Sequence, residues 1–550
     1  MGRKTTAKTD STIFGSMILN EVVLLVITLI LLFVVKVNFV NGDEYAIAYS
    51  MAGGFGRDIS HLIYATIGPL FGFIETALSV VIPGGRVYVC TLVLLLFLAS
   101  NNIFWTLRYY EAEWYSYVVG WLVYAYMLIN INYSLVTIML AGSGLLLAYA
   151  LGKHGETDRA AIAMIVISLV FAGSLRYPLC AFALLCVLAF AFPYKDRAAL
   201  KLLIISAVFL ILVIGINYGM NMVLCRFSAE GAEYMTWYGY SVGFRDFPDV
   251  DYDRYKTLFG SVCYSSNDVD MLNHWCFDDL AVFSSENMSY VLSNIPMNQH
   301  YNMSIKRIIR DMIGTPEVWI AFLLLAAAVI ASIRKDKKED LVNIVKAVFI
   351  MAPFAIIMVG LSVRQRIYPH VFMPFIVFII IELILFVQKG NKARYVVAAA
   401  AFGLILFWNI TGVAELRNGA ERSEAYGEYI AAHAGQTFLM DNSVVDCMTE
   451  SVSPIVSESR YQLYPNLVTM SDFDTASPRD FVKLETAGVA NVRRPYLSLL
   501  EENVYYIGRE DGAQIEYLKT YFAEHFGQYV EAEVVHDFGL DSKVKVYRFK

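Results

Sequence analysis

Two adjacent carboxylates follow directly on the first long apolar run of the sequence. The run extends from about Ser16 to Val40, and the polar stretch Asn41-Gly42-Asp43-Glu44 comes next. Charged side chains are costly where a chain leaves the membrane, and a carboxylate there can accept the proton of an attacking hydroxyl. Asp43 and Glu44 are therefore the predicted catalytic residues. A solvated charged cap on the span is the alternative, and the pair could also bind a divalent cation.

More polar residues lie in the same connection, in Gly56-Arg57-Asp58 and in Ser60-His61. Their closeness to the carboxylate pair favours a functional loop over a passive one. We predict that Arg57, Asp58 and His61 bind substrate. His61 is a candidate to hold a sugar or phosphate oxygen, and a structural histidine is the alternative.

Two arginines lie in a short turn near the end of the apolar region, in Ser362-Val-Arg-Gln-Arg-Ile-Tyr-Pro369. A guanidinium offers a bidentate fork to phosphate oxygens, so Arg364 and Arg366 are predicted to bind phosphate. The alternative is an interfacial pair that reaches to the headgroups, with Tyr368 as an aromatic anchor.

Arg176 interrupts an otherwise continuous apolar run, in Ser174-Leu-Arg-Tyr-Pro178. It is either a second contact for an anion or the mark of a tight hairpin between two spans. The sequence alone supports both interpretations equally.

The composition is that of an integral membrane protein. The 550 residues are 57% hydrophobic and 14% aromatic, with repeated apolar runs long enough to cross a bilayer. The formal charge of -7 resides in the connections and polar blocks, so a nucleic-acid partner is not expected. Eleven spans are predicted, at about 16–40, 87–107, 114–131, 135–151, 160–175, 178–193, 200–224, 316–333, 343–362, 369–388 and 395–413.

The distribution of Lys and Arg gives the predicted orientation. The tail 1–15 carries Arg3, Lys4 and Lys8 and no cleavage site, so the first run is a retained span with a cytoplasmic tail. The connections on the same side hold most of the remaining Lys and Arg. The C-terminus and all the residues singled out above are therefore expected on the outer face of a cell membrane.

The segment from Leu62 to Ile82 is apolar, but a further span here would reverse the following connections against the charge rule. Its apolar residues recur at helical spacing, and it also contains Gly68, Pro69 and Glu75. We predict an amphipathic helix that lies in the outer interface.

Two polar blocks are predicted to form outer domains. Residues 225–315 are too long for a structureless connection and are predicted to be a folded insertion. Residues 414–550 resemble a small α/β unit, with a helix near 415–433, strands at 437–441, 504–507 and 544–549, and a helix near 513–526. The predicted organisation is a tail 1–15, a membrane region 16–224 with a catalytic first outer loop 41–86, an insertion 225–315, a second membrane region 316–413 and an outer domain 414–550.

Several motifs are missing. No Walker-type or dinucleotide-binding glycine motif is found, and no chain of intramembrane acids suits a proton relay. The residues His274, Cys276, Asp278 and Asp279 match no zinc spacing and are expected at the surface. A disulfide between Cys263 and Cys276 is left open, and no cofactor is identified.

The carboxylate pair in the first outer loop, the interfacial helix, the late arginine turn and the outer C-terminal domain resemble the GT-C class of polytopic glycosyltransferases. The Gly-Asp-Glu followed by Gly-Arg-Asp and Ser-His is also similar to bacterial glucosyltransferases that modify surface polysaccharide. The resemblance covers roughly residues 16–413. It implies a polyprenyl-phosphate sugar donor, Asp43 or Glu44 as base or acceptor contact, and Arg364 or Arg366 as contact to the lipid phosphate.

The resulting hypothesis is an inverting hexosyl or pentosyl transfer to a cell-surface glycan or lipid at the outer face. A lipid-linked oligosaccharide flippase or a polysaccharide polymerase is one alternative, and it needs a basic cavity through or along the bundle. A non-catalytic membrane scaffold is another, and it predicts that Asp43 and Glu44 are exposed to solvent.

Overall fold

The chain folds into a helical membrane region with a small C-terminal α/β domain, which keeps the name outer domain from its predicted location. The computed structural model describes residues 16–35, 37, 44, 47, 63, 65–81, 86–194, 196–245, 249–296, 305–333, 337–364, 367–387, 392–445, 465–472, 474–539 and 543–550. Within these ranges, seven helices are long and apolar enough to cross a membrane, and a bent pair of helices makes an eighth. The protein is therefore a multi-pass membrane protein.

Eight helices belong to the first membrane region. They are α1 Met17–Leu29 with a π-helical extension over Ile30–Val35, α2 Pro69–Val81, α3 Arg86–Tyr109, α4 Trp114–Ile129, α5 Tyr133–His154, α6 Arg159–Leu175, α7 Tyr177–Ala191 and α8 Arg197–Phe227. Each predicted span of this region coincides with a helix. The predicted interfacial segment is α2, a separate short helix.

Five helices lie in the region that is predicted as the insertion, and the last of them leads into the second membrane region. They are α9 Ala229–Arg245, α10 Lys256–Ser261, α11 Ser266–Asn273, α12 Ser285–Asn294 and α13 Ile305–Gly314. The remaining spans are α14 Pro316–Ser332, α15 Lys337–Val363, α16 Pro369–Phe386 and α17 Arg394–Ala432. The predicted spans of this region also coincide with helices, although α4, α6 and the apolar part of α16 are short for a perpendicular crossing.

Helix α5 is the centre of the membrane bundle, since nearly all of its side chains are buried against α3, α6, α7, α8 and α16. At Gly142 a Cβ atom would lie 2.6 Å from the ring of Phe378, so only glycine allows α16 to approach this closely. The Asn102 amide of α3 donates hydrogen bonds to the hydroxyls of Ser143 and Ser168. Small residues and interhelical hydrogen bonds of this kind hold helices together in a bilayer.

Helix α13 meets the span α14 at an angle of 78°. Three of its isoleucines are exposed, at 305, 309 and 313, and its polar face carries Lys306, Arg307 and Arg310. An amphipathic helix that is nearly perpendicular to a span lies in the plane of the membrane interface. The predicted insertion therefore ends in an interfacial helix that joins the membrane region.

Helix α17 combines two elements that the sequence predicts as separate. The predicted span 395–413 and the predicted helix near 415–433 form one helix of 39 residues. The change from apolar to polar composition at residue 414 marks where this helix leaves the membrane, and the helix itself continues. The predicted boundary between membrane and outer domain thus falls inside a regular helix.

The outer domain contains a five-stranded sheet with the order β2-β1-β3-β5-β4. Its strands are β1 Thr437–Met440, β2 Leu467–Thr469, β3 Val504–Arg509, β4 Ala532–Asp537 and β5 Val544–Phe549. β1 runs parallel to β2 and β3, while β5 is antiparallel to β3 and β4. The helices α18 Asn442–Val445, α19 Pro478–Thr486 and α20 Gln514–Phe526 complete the domain. The three predicted strands and the helix near 513–526 are present, whereas β2, β4 and α19 were not predicted.

The insertion packs against the outer domain through two buried aspartates. Asp278 accepts hydrogen bonds from the Ser471 backbone N–H and from the Tyr496 hydroxyl, both at 2.7 Å. Asp279 forms an ion pair with Arg494 at 3.0 Å. The expectation that these two acids lie at the surface is wrong, because their partners follow about two hundred residues later in the chain. Cys263 and Cys276 are both free thiols.

One carboxyl group is buried inside the bundle. Glu382 of α16 is inaccessible to solvent, and no described residue donates a hydrogen bond to either of its oxygens. The hydroxyls of Tyr110 and Tyr149 likewise have no partner among the described residues, and Tyr110 interacts electrostatically with Glu382. A carboxyl group in such a place destabilises the fold unless it is neutral.

We therefore expect that Glu382→Gln keeps or raises the unfolding temperature of the purified protein in detergent, because the amide has the same shape and no charge to bury. Glu382→Lys should prevent the protein from accumulating in the membrane. Thermal unfolding followed by tryptophan fluorescence measures the first effect. A clear loss of stability in Glu382→Gln would show that the carboxylate has a charged partner and would contradict this expectation.

The contact between insertion and outer domain includes a histidine that should make stability depend on pH. His525 Nε2 lies 2.8 Å from Asp268 Oδ1, and this hydrogen bond raises the pKa of His525. A raised pKa in the folded state stabilises the protein fully below the unfolded pKa of about 6.5, and the contribution is lost as pH rises through the higher folded value.

We expect the wild-type protein to lose up to about 1 kcal/mol of stability between pH 6 and pH 9 through this pair. His525→Gln and Asp268→Asn should each remove that part of the pH dependence. Chemical unfolding of the full chain at a series of pH values measures it. An unchanged pH profile in both variants would show that the pair does not titrate in this range.

Candidate functional site

The Glu44 carboxylate is the centre of the candidate site. Its side chain is 0% exposed, and its two oxygens accept hydrogen bonds from different helices. Oε2 accepts the Tyr88 hydroxyl of α3 at 2.6 Å, and Oε1 accepts the Tyr133 backbone N–H of α5 at 2.6 Å. One side chain of the first outer loop thus joins the first turns of two spans.

The N-terminus of α5 is well suited to a carboxylate. The first N–H groups of a helix have no partner within the helix, and the helix dipole favours negative charge there. Asn132 caps the helix by accepting the Leu135 N–H at 2.8 Å, and Glu44 accepts the N–H of Tyr133. Two side chains therefore share the exposed donors at the end of the most buried helix.

Arg176 reaches the same helix end from the turn between α6 and α7. Its Nη1 atom donates to the Ser134 hydroxyl at 2.5 Å, and its guanidinium lies 4.9 Å from the centre of the Tyr133 ring. Ser134 directly follows the residue that binds Glu44. The structure thus places Arg176 at the helix end that binds Glu44, and its contact with an anion stays a prediction.

Glu75 is a residue that the sequence analysis did not select. It lies in α2 and is 3% exposed, and it interacts electrostatically with Tyr88, which bonds Glu44. Burial raises the pKa of Glu75 to about 7, although the nearby Thr91 hydroxyl lowers it. No described residue donates a hydrogen bond of normal geometry to its oxygens. In the sequence, Glu75 could have been noticed as the single acid of an otherwise apolar, amphipathic segment.

The end of the first outer loop is fixed to the same helix ends. Gly68 donates its N–H to the Ser174 carbonyl at 2.7 Å, and Leu70 donates to the Asn217 side-chain oxygen at 3.0 Å. A Cβ at Gly68 would lie 2.5 Å from that oxygen and 2.7 Å from the carbonyl, so no other residue fits without a shift. Asn217 in turn donates to the Gly173 carbonyl and the Ser174 hydroxyl. The loop is thereby held two residues from Arg176.

Arg364 lies at the C-terminal end of α15 and is exposed. Close by, the Ser362 hydroxyl donates to Asp311 of α13 at 2.7 Å, and Asp311 is 3.5 Å from Arg307. The basic interfacial helix α13 is therefore attached to the predicted phosphate-binding turn. Helix α13 could not be linked to this turn from the sequence, because its residues were counted as part of the long insertion 225–315.

The other predicted site residues, Asp43, Arg57, Asp58, His61 and Arg366, lie outside the described residues. For these five residues the predictions stand as made.

The site combines the loop that carries the buried Glu44 with the partly buried guanidinium of Arg176. Glu75 interacts with Tyr88 and Arg176 bonds Ser134, on the two helices that bind Glu44. A neutralisable carboxyl can move a proton, and a guanidinium can stabilise an anion. A divalent cation at the carboxylate pair remains a prediction. Elsewhere in the described ranges, Asp268, Glu524 and His525 have ligand atoms within 4.8 Å of one another. The bonds of Asp268 to His525 and of Ser265 to Glu524 account for that cluster.

Comparison with known proteins gives one match to report. No protein-family model matches the chain, and no curated protein matches its sequence. Among solved structures, the fold is similar to the crystal structure of ArnT from Cupriavidus metallidurans bound to undecaprenyl phosphate. The TM-score is 0.42 and the sequence identity 13%, over 98% of each chain. Because both values are low, the function has to be argued from the residues themselves.

Proposed function

We propose that the protein is a membrane glycosyltransferase that moves a sugar from a polyprenyl-phosphate donor to a hydroxyl of a cell-surface glycan or lipid at the outer face. The observation that carries the proposal is the burial of Glu44 between Tyr88 and Tyr133, with Arg176 on the next residue of the same helix end. An acid loop and a cation close together are what transfer from a phosphate leaving group requires.

Asp43 is the base in this proposal, and Glu44 positions it. Both oxygens of Glu44 already accept hydrogen bonds from the protein, and the side chain has no access to solvent. A carboxylate in that state is poorly placed to take a proton from a substrate. Its neighbour Asp43, which lies outside the described residues, is therefore assigned as the base.

In the proposed step, the acceptor hydroxyl gives its proton to Asp43 while its oxygen attacks the anomeric carbon from the side opposite the phosphate. The bond from that carbon to the phosphate oxygen breaks, so the configuration inverts and polyprenyl phosphate leaves. Arg176 and the turn with Arg364 and Arg366 meet the negative charge that grows on the phosphate.

The lipid part of the donor has a suitable place beside these groups. Helix α13 presents exposed isoleucines to the hydrocarbon and Lys306, Arg307 and Arg310 to the headgroup layer, next to the turn that carries Arg364. Charges of this kind attract anionic lipid headgroups. Arg57, Asp58 and His61 are assigned to the sugar or the acceptor.

Burial of Glu44 also speaks against the scaffold alternative, which predicts a carboxylate exposed to solvent. The flippase alternative needs basic groups along a path through the bundle. The described groups around Glu44 instead lie at one end of the bundle, near the first turns of α3, α5 and α7. Both features favour transfer chemistry at one membrane surface.

Substitutions in the first loop test the division of roles. We expect Asp43→Asn to lower transfer at least about a hundredfold with unchanged stability, since it removes the base. Glu44→Gln should lower both transfer and unfolding temperature, since the amide cannot accept both hydrogen bonds as strongly. Tyr88→Phe is the matched control, because it keeps both carboxylates and should cost about tenfold or less.

The measurement is release of polyprenyl phosphate from purified protein in nanodiscs, with a panel of polyprenyl-phosphate hexoses and pentoses and an extract of cell-surface glycan and lipid. Wild-type transfer by a double variant Asp43→Asn, Glu44→Gln that remains folded would refute the proposal. Loss of transfer in Tyr88→Phe as large as in Asp43→Asn would refute the division of roles.

Arginine substitutions test the phosphate contact. We expect Arg176→Gln and Arg364→Gln each to lower the transfer rate by about tenfold to a thousandfold, because a guanidinium that meets leaving-group charge acts mainly in the transition state. Arg176→Lys should recover only part of the loss, since an ammonium lacks the planar fork. Arg159→Gln, at the other end of α6, should retain wild-type rates. Full activity in both glutamine variants would exclude these arginines from the reaction.

A further inference from the structure

The outer domain makes a buried contact with the first outer loop. Arg479 of α19 is 1% exposed, and its Nη1 atom donates a hydrogen bond to the Ile63 carbonyl at 3.0 Å. Ile63 belongs to the loop that carries the carboxylate pair, 416 positions earlier in the chain. This contact connects the domain at the end of the chain to the loop at its beginning.

The guanidinium is held in place by Asp474. Asp474 accepts hydrogen bonds from Nε and Nη2 of Arg479, and both side chains are almost completely buried. Burial raises the pKa of Asp474, but the charge and hydrogen bonds of Arg479, together with Lys483 and Ser477, outweigh burial and hold the pKa below its usual value. The pair is therefore fixed in place, and Nη1 of Arg479 is directed to Ile63.

The position of Arg479 is unfavourable for the helix that carries it. Ser477 caps α19 and Pro478 is its first residue, so Arg479 lies in the first turn, where the helix dipole disfavours a cation. Asp474 offsets this cost. An apolar side chain at this position would need no acid to balance a charge. The stability of α19 alone therefore does not explain the ion pair.

The segment that Arg479 holds is short and is fixed at both sides. Ile63 is buried against Leu224 and Tyr234, and the Tyr234 hydroxyl accepts the Ala65 N–H at 3.4 Å. At Gly231 a Cβ would lie 2.3 Å from Ile63 Cδ1, so α9 approaches the loop closely. Five residues later Gly68 binds Ser174, next to Arg176.

We infer that Arg479 is a positioning residue for the first outer loop, through which the outer domain fixes the end of the loop that also carries the carboxylate pair. The inference rests on the proposed function for its kinetic consequence, but the contact itself can be tested without it. Removal of the hydrogen bond to Ile63 should loosen the loop and slow the chemical step, with little effect on how tightly the donor binds.

The test compares Arg479→Gln, Arg479→Lys and Arg493→Gln in the full chain in nanodiscs. Lysine keeps a charge for Asp474, but one ammonium cannot serve Asp474 and Ile63 together. Arg493 is the matched control, because it makes a bidentate pair with Glu233 at 3.0 Å between outer domain and α9 and, among the described residues, forms no hydrogen bond with the loop. Two readouts are needed: hydrogen exchange of peptides that cover residues 63–70, and steady-state kinetics.

We expect exchange in residues 63–70 to rise at least about tenfold in both Arg479 variants and to stay at wild-type level in Arg493→Gln. The transfer kcat should fall at least about tenfold in both Arg479 variants, with KM for the donor within about twofold of wild type. Arg479→Lys should recover the unfolding temperature but not kcat.

Three results would overturn the inference. One is unchanged exchange over residues 63–70 in Arg479→Gln, another is wild-type kcat in Arg479→Lys, and the third is an equal kinetic loss in Arg493→Gln. If the chain transferred no sugar at all, the proposed function would fail. The exchange experiment would still decide whether Arg479 holds the loop.

Discussion

The end of the membrane bundle that carries the first loop depends on the hydrogen bonds to one buried carboxylate, that of Glu44. A charged group without contact to water is tolerated only when donors surround it. Glu44 finds a phenol hydroxyl on α3 and a backbone N–H at the dipole end of α5. Its desolvation cost is thereby offset, and the two spans are held at a fixed separation. The loop begins from a defined point because Glu44 is bound in this way.

The other end of the loop is defined by backbone hydrogen bonds. The amides of Gly68 and Leu70 are bound by Ser174 and Asn217, and Asn217 also donates to Ser174, in the last turn of α6 before Arg176. Backbone donors buried near a membrane need such partners. The same bonds that satisfy the loop therefore fix its end two residues from Arg176.

The spans could be predicted because apolar runs and the placement of lysine and arginine are strong local signals. The Asp43-Glu44 pair stood out for the same reason, as two charges at the end of such a run. Nothing in the sequence indicated the roles of Tyr88, Tyr133 and Ser134, because tyrosine and serine are common residues. Their roles appear only when segments 40 to 90 residues apart in the chain come into contact. Asp278 and Asp279 were misplaced because their partners lie near Ser471 and Arg494. Glu75 was overlooked because an acid on an amphipathic helix normally faces water.

Helix α17 was predicted in two pieces because hydropathy changes at residue 414, whereas helix formation continues through the Ala, Glu and Arg residues that follow. Such residues favour helix on either side of the membrane surface. Its last turns contact the sheet, where the Tyr429 ring stacks on His536 at 4.2 Å between ring centres. Membrane composition and secondary structure thus have different boundaries in this part of the chain.

Because α17 is one continuous helix, a tilt of the last span also moves the sheet that follows the helix. The part beyond residue 413 is about 28 Å long at 1.5 Å per residue, so a tilt of about 5° displaces its far end by roughly 2.5 Å. Spans tilt when the hydrocarbon layer becomes thinner. The thickness of the surrounding bilayer is therefore mechanically coupled to the placement of the strands above it.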